Sequence, residues 1–164
     1  ERMLEIMRDS TLGANGVIAL VLTILLKYIL LRNIPADGGV LAVLVTPVLG
    51  RTALTWHSAS ARYAREERGI GDYVNQTGLA QAAAATLVSL ALVAGALLLF
   101  GAPLSRVPLL LVVLHLPPIL LAVLFALYLK RRLGGITGDT IGASIELSET
   151  LSFLVFLLVW KYPL

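Results

Sequence analysis

The chain has 164 residues, a formal net charge of +3 and no cysteine; 58% of its residues are hydrophobic and 14% charged, with a mean hydropathy of +0.89. Ordinary soluble domains run at about 45–50% apolar and about 25% charged, and a soluble protein of this size could not bury so much apolar surface. This excludes a disordered chain, a disulfide-stapled mini-protein and most nucleic-acid modules, and makes lipid the solvent for most of the chain. The first residue is Glu1 rather than Met. The expectation is one membrane-embedded helical domain over residues 1–164, belonging to a longer protein.

A hydrocarbon core of about 30 Å needs roughly 20 mostly apolar residues in a helix. In chain order, the first such stretch is residues 17–34, interrupted by Lys27, whose stem either snorkels or turns into a bundle. Residues 38–54 form the second, with Pro47 inside and Arg51 toward one end. Residues 79–100 and 107–129 are uncharged and form the third and fourth. Pro117-Pro118 in the middle of the fourth is expected to bend it. Residues 141–160 make the fifth, with Glu146 and Glu149 in its first half. The fold class is therefore all-α, a polytopic bundle of about five transmembrane helices.

The loops agree on an orientation. With the amino end inside, Arg2, Arg8, Arg62, Arg65, Arg68, Lys130, Arg131 and Arg132 fall on the cytoplasmic side, and Arg51 near its boundary. The opposite side receives only Arg32, Arg106 and Lys161. Positive charge collects inside, so the carboxyl end lies outside. The turn chemistry fits: Asn33, Pro35 and Gly38-Gly39 punctuate the first break, and Gly101-Ala102-Pro103 the third. Ala82 to Ala85 is a run of small residues suited to a close helix contact.

Acidic residues inside an apolar span are costly and usually mark function. Asp139 and Glu146 are seven apart, about 20° from one another on a helix wheel and roughly 10 Å apart along the axis. One ion cannot bridge that gap. Glu146 and Glu149, one turn apart, repel unless a cation or a proton sits between them. The glycines ahead of Asp139 suit a helix entry whose N–H groups face an anion, and Thr137 and Asp139 also suit an N-cap. Glu5 and Asp9 form a weaker acidic face near Arg8. Arg62, Arg65 and Arg68 suit pairing with Glu66 and Glu67, anionic lipid heads or phosphates. His57 and His115 are isolated, and without cysteine a zinc site has no support. Carboxylate oxygens beside arginines suit magnesium or manganese, and magnesium with phosphates suggests phosphoryl or nucleotidyl chemistry.

Leu4-Glu5-Ile6-Met7-Arg8-Asp9-Ser10, with Gly13 and Gly16 following, resembles the "LEIMRDS..G..G" stretch of cobalamin (5′-phosphate) synthases, also called adenosylcobinamide-GDP ribazoletransferases. Gly134-Gly135-Ile136-Thr137-Gly138-Asp139, with Gly142-Ala143, Glu146 and Glu149, is similar to that family's "GG.TGD..GA..E..E" signature. Pro47 to Ala53 with Arg51, and Tyr63-Ala64-Arg65 to Gly71, carry weaker likenesses. The resemblance spans nearly the whole chain. It implies a polytopic enzyme of a prokaryotic cytoplasmic (inner) membrane, with its active site facing the cytoplasm. There a hydroxyl of α-ribazole, or of its 5′-phosphate, attacks adenosylcobinamide-GDP and GMP leaves, with Mg2+ as cofactor.

Under that resemblance Asp139 and Asp9 are the catalytic candidates, and Asp139, Glu146 and Glu149 the metal candidates. Arg8, Arg51, Arg62, Thr137 and Gly138 are candidates for holding substrate. The family also carries an acidic motif of the type "HLDGLADTADG" ahead of the first stretch, which this sequence does not contain. The expected partners are the two substrates and membrane lipid, with no nucleic acid; a homo-oligomer stays open. Two other readings stand beside it. One is a CDP-alcohol-phosphotransferase-like lipid enzyme with the same metal logic. The other is a small transporter using Glu146 and Glu149 as a proton relay.

Overall fold

The structure is a computed structural model that describes residues 13–64 and 74–162. Among them run five long helices: α1 (Ala14–Asn33), α2 (Ala36–Ser60), α3 (Leu79–Leu99), α4 (Val107–Leu133) and α5 (Gly138–Lys161). Each is long and apolar enough to cross a membrane, in agreement with a five-span helical bundle. The ends differ from expectation where charge and backbone disagree. α2 continues past residue 54 to Ser60, and α4 past residue 129 to Leu133. Polar side chains end an apolar window, but the hydrogen-bonded backbone carries the helix on into the interfacial zone.

The turns use the residues that the sequence singles out. Pro35 starts α2, and its carbonyl accepts from the N–H groups of Gly38 and Gly39 at 2.9 and 3.0 Å. α3 closes with the N–H of Ala102 on the Leu97 carbonyl and that of Gly101 on the Leu98 carbonyl. This pair of bonds is a Schellman motif. α4 stops at Gly134, whose φ of 79° is a left-handed conformation that a side chain would strain. α4 passes through Pro117 and Pro118 as one helix, although two N–H donors are missing there.

α2 is the hub. It packs on α3, α4 and α5, while α1 lies at the edge, mainly against α5. Lipid tails are as apolar as leucine, so helices here associate through small residues and polar contacts. Ala53, Ala122, Ala126, Ser144 and Ser148 are accordingly buried. Of the alanine run, Ala82 is buried whereas Ala83 and Ala84 face outward. Gly38 lies against the indole of Trp160, and Gly50 against the side chain of Glu149.

Three polar bonds tie the hub and its neighbours. Trp56 donates to Thr86 at 2.9 Å (α2 to α3), and Ser89 donates to His115 Nε2 at 2.9 Å (α3 to α4). His57 Nδ1–H donates to the Ala122 carbonyl at 3.0 Å (α2 to α4). Both histidines therefore serve helix packing.

Candidate functional site

The segments that follow α2 and precede α5 meet at one end of the bundle. Ile136 N–H donates to the Arg62 carbonyl at 2.9 Å, and Ala64 N–H donates to the Ile136 carbonyl at 2.8 Å. This parallel bridge between Tyr63 and Ile136 clasps two distant loops. It requires a glycine at 135, because a Cβ there would land on the Arg62 carbonyl oxygen and beside the Ala64 backbone. Asn75 secures the clasp from a third side by accepting from Tyr63 N–H at 2.9 Å.

From the clasp the chain enters α5. Thr137 is its N-cap. The Thr140 hydroxyl accepts from Thr137 N–H at 2.8 Å and donates to the Thr137 carbonyl at 2.9 Å, while Thr140 N–H reaches the Thr137 hydroxyl at 3.4 Å. Thr137 is thus fully buried and its hydroxyl is spent on the cap. Asp139 stands in the first turn with its side chain exposed, and Gly138 is half-buried. Of the two N-cap candidates, Thr137 takes that position, which leaves the Asp139 carboxylate at the positive end of the helix dipole. Thr137→Ala is expected to cost about 1 kcal/mol through loss of the cap, checked by thermal unfolding in bicelles.

Deeper in the membrane lies a second cluster. The Lys27 ammonium on α1 sits 2.7 Å from Glu146 Oε2 and 2.7 Å from Glu149 Oε2. Arg51 on α2 approaches the other oxygen of Glu149 at 3.9 Å. Lys27 therefore turns into the bundle, and the cation between the two glutamates is its ammonium. Arg51 is mostly exposed and borders this cluster, whereas Arg62 is exposed at the clasp. Arg8 and Asp9 lie outside the described residues, as do Arg65 and Arg68.

A cavity of about 500 Å³ opens at the clasp end. It is lined by Ser58, Ser60, Arg62, Asn75, Thr77 and Lys130 together with Gly134 and short apolar residues. Two cations among hydroxyl and amide groups suit an anionic ligand. Sequence reasoning missed Lys130 as a lining residue, counting it only toward loop charge. The serines at the end of α2 carried no signal, since α2 was expected to stop before them.

These residues bear on a magnesium ion in different ways. Among the described residues, no three His, Asp or Glu side chains gather to hold a metal. Glu146 and Glu149 do not fit one in this arrangement, because an ammonium already takes an oxygen from each. Magnesium is more often held by one or two carboxylates plus substrate phosphates. Asp139, exposed at the helix start, fits that pattern.

Comparison with known proteins places the chain. The profile of the family described as cobalamin-5-phosphate synthase matches residues 1–157. The chain belongs to this family. A relative from Desulforamulus reducens is 40% identical over 164 residues, covering 96% of this chain and 59% of its own. Another, from Thermoanaerobacter sp. (strain X514), is 35% identical over 159 residues, covering 96% of this chain and 60% of its own. Both relatives are named adenosylcobinamide-GDP ribazoletransferase. The chain spans about 60% of the length of these cobalamin-5-phosphate synthase relatives. No solved structure matches it.

Proposed function

We propose that the chain is the part of an adenosylcobinamide-GDP ribazoletransferase that builds the phosphate-binding end of the active site. A hydroxyl oxygen of α-ribazole, or of its 5′-phosphate, forms a bond to the cobinamide-linked phosphorus of adenosylcobinamide-GDP. The bond from that phosphorus to the bridging oxygen breaks, and GMP leaves with the electron pair. The hydroxyl proton passes to a carboxylate, for which Asp139 and Asp9 are the candidates. The observation that carries this reading is the clasp, which holds Arg62 and the Thr137–Gly138–Asp139 segment at one end beside a basic cavity.

Each residue has a physical task. Arg62 and Lys130 offset the charge of the diphosphate and of the departing GMP. The α5 amino end adds a partial positive charge at the same end. Magnesium, held by Asp139 and the phosphates, would supply further charge neutralisation at the reacting phosphorus. The bulky, amphipathic corrinoid suits a site at a membrane surface. The basic residues Arg62, Lys130, Arg131 and Arg132 share this end, which under the positive-inside rule faces the cytoplasm of a prokaryotic inner membrane.

The test is GMP release by the full-length protein in proteoliposomes, supplied with adenosylcobinamide-GDP and α-ribazole while magnesium is varied. Arg62→Ala and Lys130→Ala are each expected to raise the KM for the donor about tenfold or more, as loss of a charge-assisted hydrogen bond implies. An unchanged donor KM in both variants would remove the cavity from the site.

A further inference from the structure

We propose that Lys27 is the resident counter-cation of Glu146 and Glu149, and that it acts as a positioning residue docking α1 onto α5. The two carboxylates then serve helix placement and do not ligate the metal.

Three observations support this. The first is electrostatic closure. Lys27, Arg51, Glu146 and Glu149 contribute two positive and two negative charges within one connected cluster. A divalent cation added to it would leave an uncompensated +2 in a partly buried position. Lys27 is 19% exposed and Glu149 16%, with Glu146 (56%) and Arg51 (62%) at the open rim; at the buried pair unbalanced charge is expensive.

The second is the shape of the seat. The Glu149 side chain crosses Gly50 of α2, where a Cβ would fall 2.7 Å from Glu149 Cγ. A glycine at this point lets Glu149 lie between α2 and α1, with one oxygen toward Lys27 and the other toward Arg51.

The third is what else holds α1. The inward residues of α1 and its exit are Gly16, Thr23, Lys27, Leu30, Leu31 and Ile34, and only Leu30 and Ile34 are buried. The rest of the helix is lined with exposed Val, Leu and Ile, and in lipid the hydrophobic effect gives no drive to associate, which leaves packing and polar contacts to hold the helix. Lys27 lies mid-helix, about 20 Å along the axis from Ala14 at 1.5 Å per residue. An ion pair reaching to two successive turns of α5 therefore fixes both the depth and the rotation of α1.

This inference deepens the functional reading above and rests on it only for the activity measurements. The experiment compares Lys27→Met, Lys27→Arg, Glu146→Gln/Glu149→Gln and the neutral triple variant in the full-length protein reconstituted in bicelles. Thermal unfolding and Mn2+ binding by electron paramagnetic resonance are both recorded. Lys27→Met takes the cation from Glu146 and leaves Glu149 only the more distant Arg51, 3.9 Å away, and is expected to lower the melting temperature by about 5–10 °C. Lys27→Arg and the neutral triple variant are expected to recover most of that loss, and should one single variant fail to fold, the triple variant still reports.

Mn2+ affinity is expected to stay within about twofold in the neutral triple variant and to fall at least tenfold in Asp139→Asn. A tenfold loss of Mn2+ affinity in the triple variant would overturn the proposal, as would additive melting shifts without recovery. If wild-type protein binds no Mn2+ and releases no GMP, the functional reading fails instead, and the melting shifts still decide the role of Lys27.

Discussion

Replacing Asp139 by asparagine in the full-length protein is expected to lower GMP release at least about 100-fold while membrane insertion and thermal stability stay near wild type. The two halves of this expectation have separate physical grounds. Asparagine keeps the size and shape of the side chain and removes its charge. Asp139 is exposed in the first turn of α5 and is not the residue that caps it, so the substitution keeps the cap and removes the carboxylate's interaction with the helix dipole, worth about 0.3–1 kcal/mol. Catalysis loses more: the proposed metal ligand, and a carboxylate at the end where the diphosphate would sit. Measuring kcat beside the melting temperature separates the two effects. Near-normal turnover would remove Asp139 from the site, and a collapse of stability would show that it is structural.

The second large effect is expected at Gly135. Gly135→Ala places a methyl group against the Arg62 carbonyl oxygen and the Ala64 backbone. Backbone cannot swing aside as a flexible side chain can, so the clasp must open by the width of the new group. Overpacking of this kind costs about 1–3 kcal/mol, which is several degrees of melting temperature for a chain of this size. Opening the clasp also separates Arg62 from the α5 amino end, so donor KM is expected to rise with the loss of stability. Gly39→Ala is the control, because a Cβ there meets nothing within 4 Å. Equal behaviour of the two variants would contradict the packing of the clasp.

Much of the architecture was legible in the residues. Helices in lipid must satisfy every backbone group internally, so an uncharged run such as 107–129 has one available structure. The cap of α5 was legible to within two candidates, Thr137 and Asp139, since capping depends on neighbours three residues apart. What happens between spans is a different matter. A lysine within an apolar run snorkels or turns inward with the same local sequence, and the choice for Lys27 depends on a glutamate pair more than a hundred residues away. The pair itself read as needing a cation or a proton between its carboxylates, and the chain order gives no sign of an ammonium arriving from α1. Lys130 and the serines at the end of α2 were hidden for the same reason, since a cavity lining is assembled from several helix ends.

By itself, then, the amino-acid order determined five apolar spans, their breaks and the family signature, because hydropathy, capping and motif spacing are short-range properties of a chain in lipid. Only the tertiary structure decided which charges meet. It set Lys27 between Glu146 and Glu149, and it joined Arg62 to the start of α5. Electrostatic pairing and backbone clasping depend on distance through space, and that distance exists only once the helices have packed.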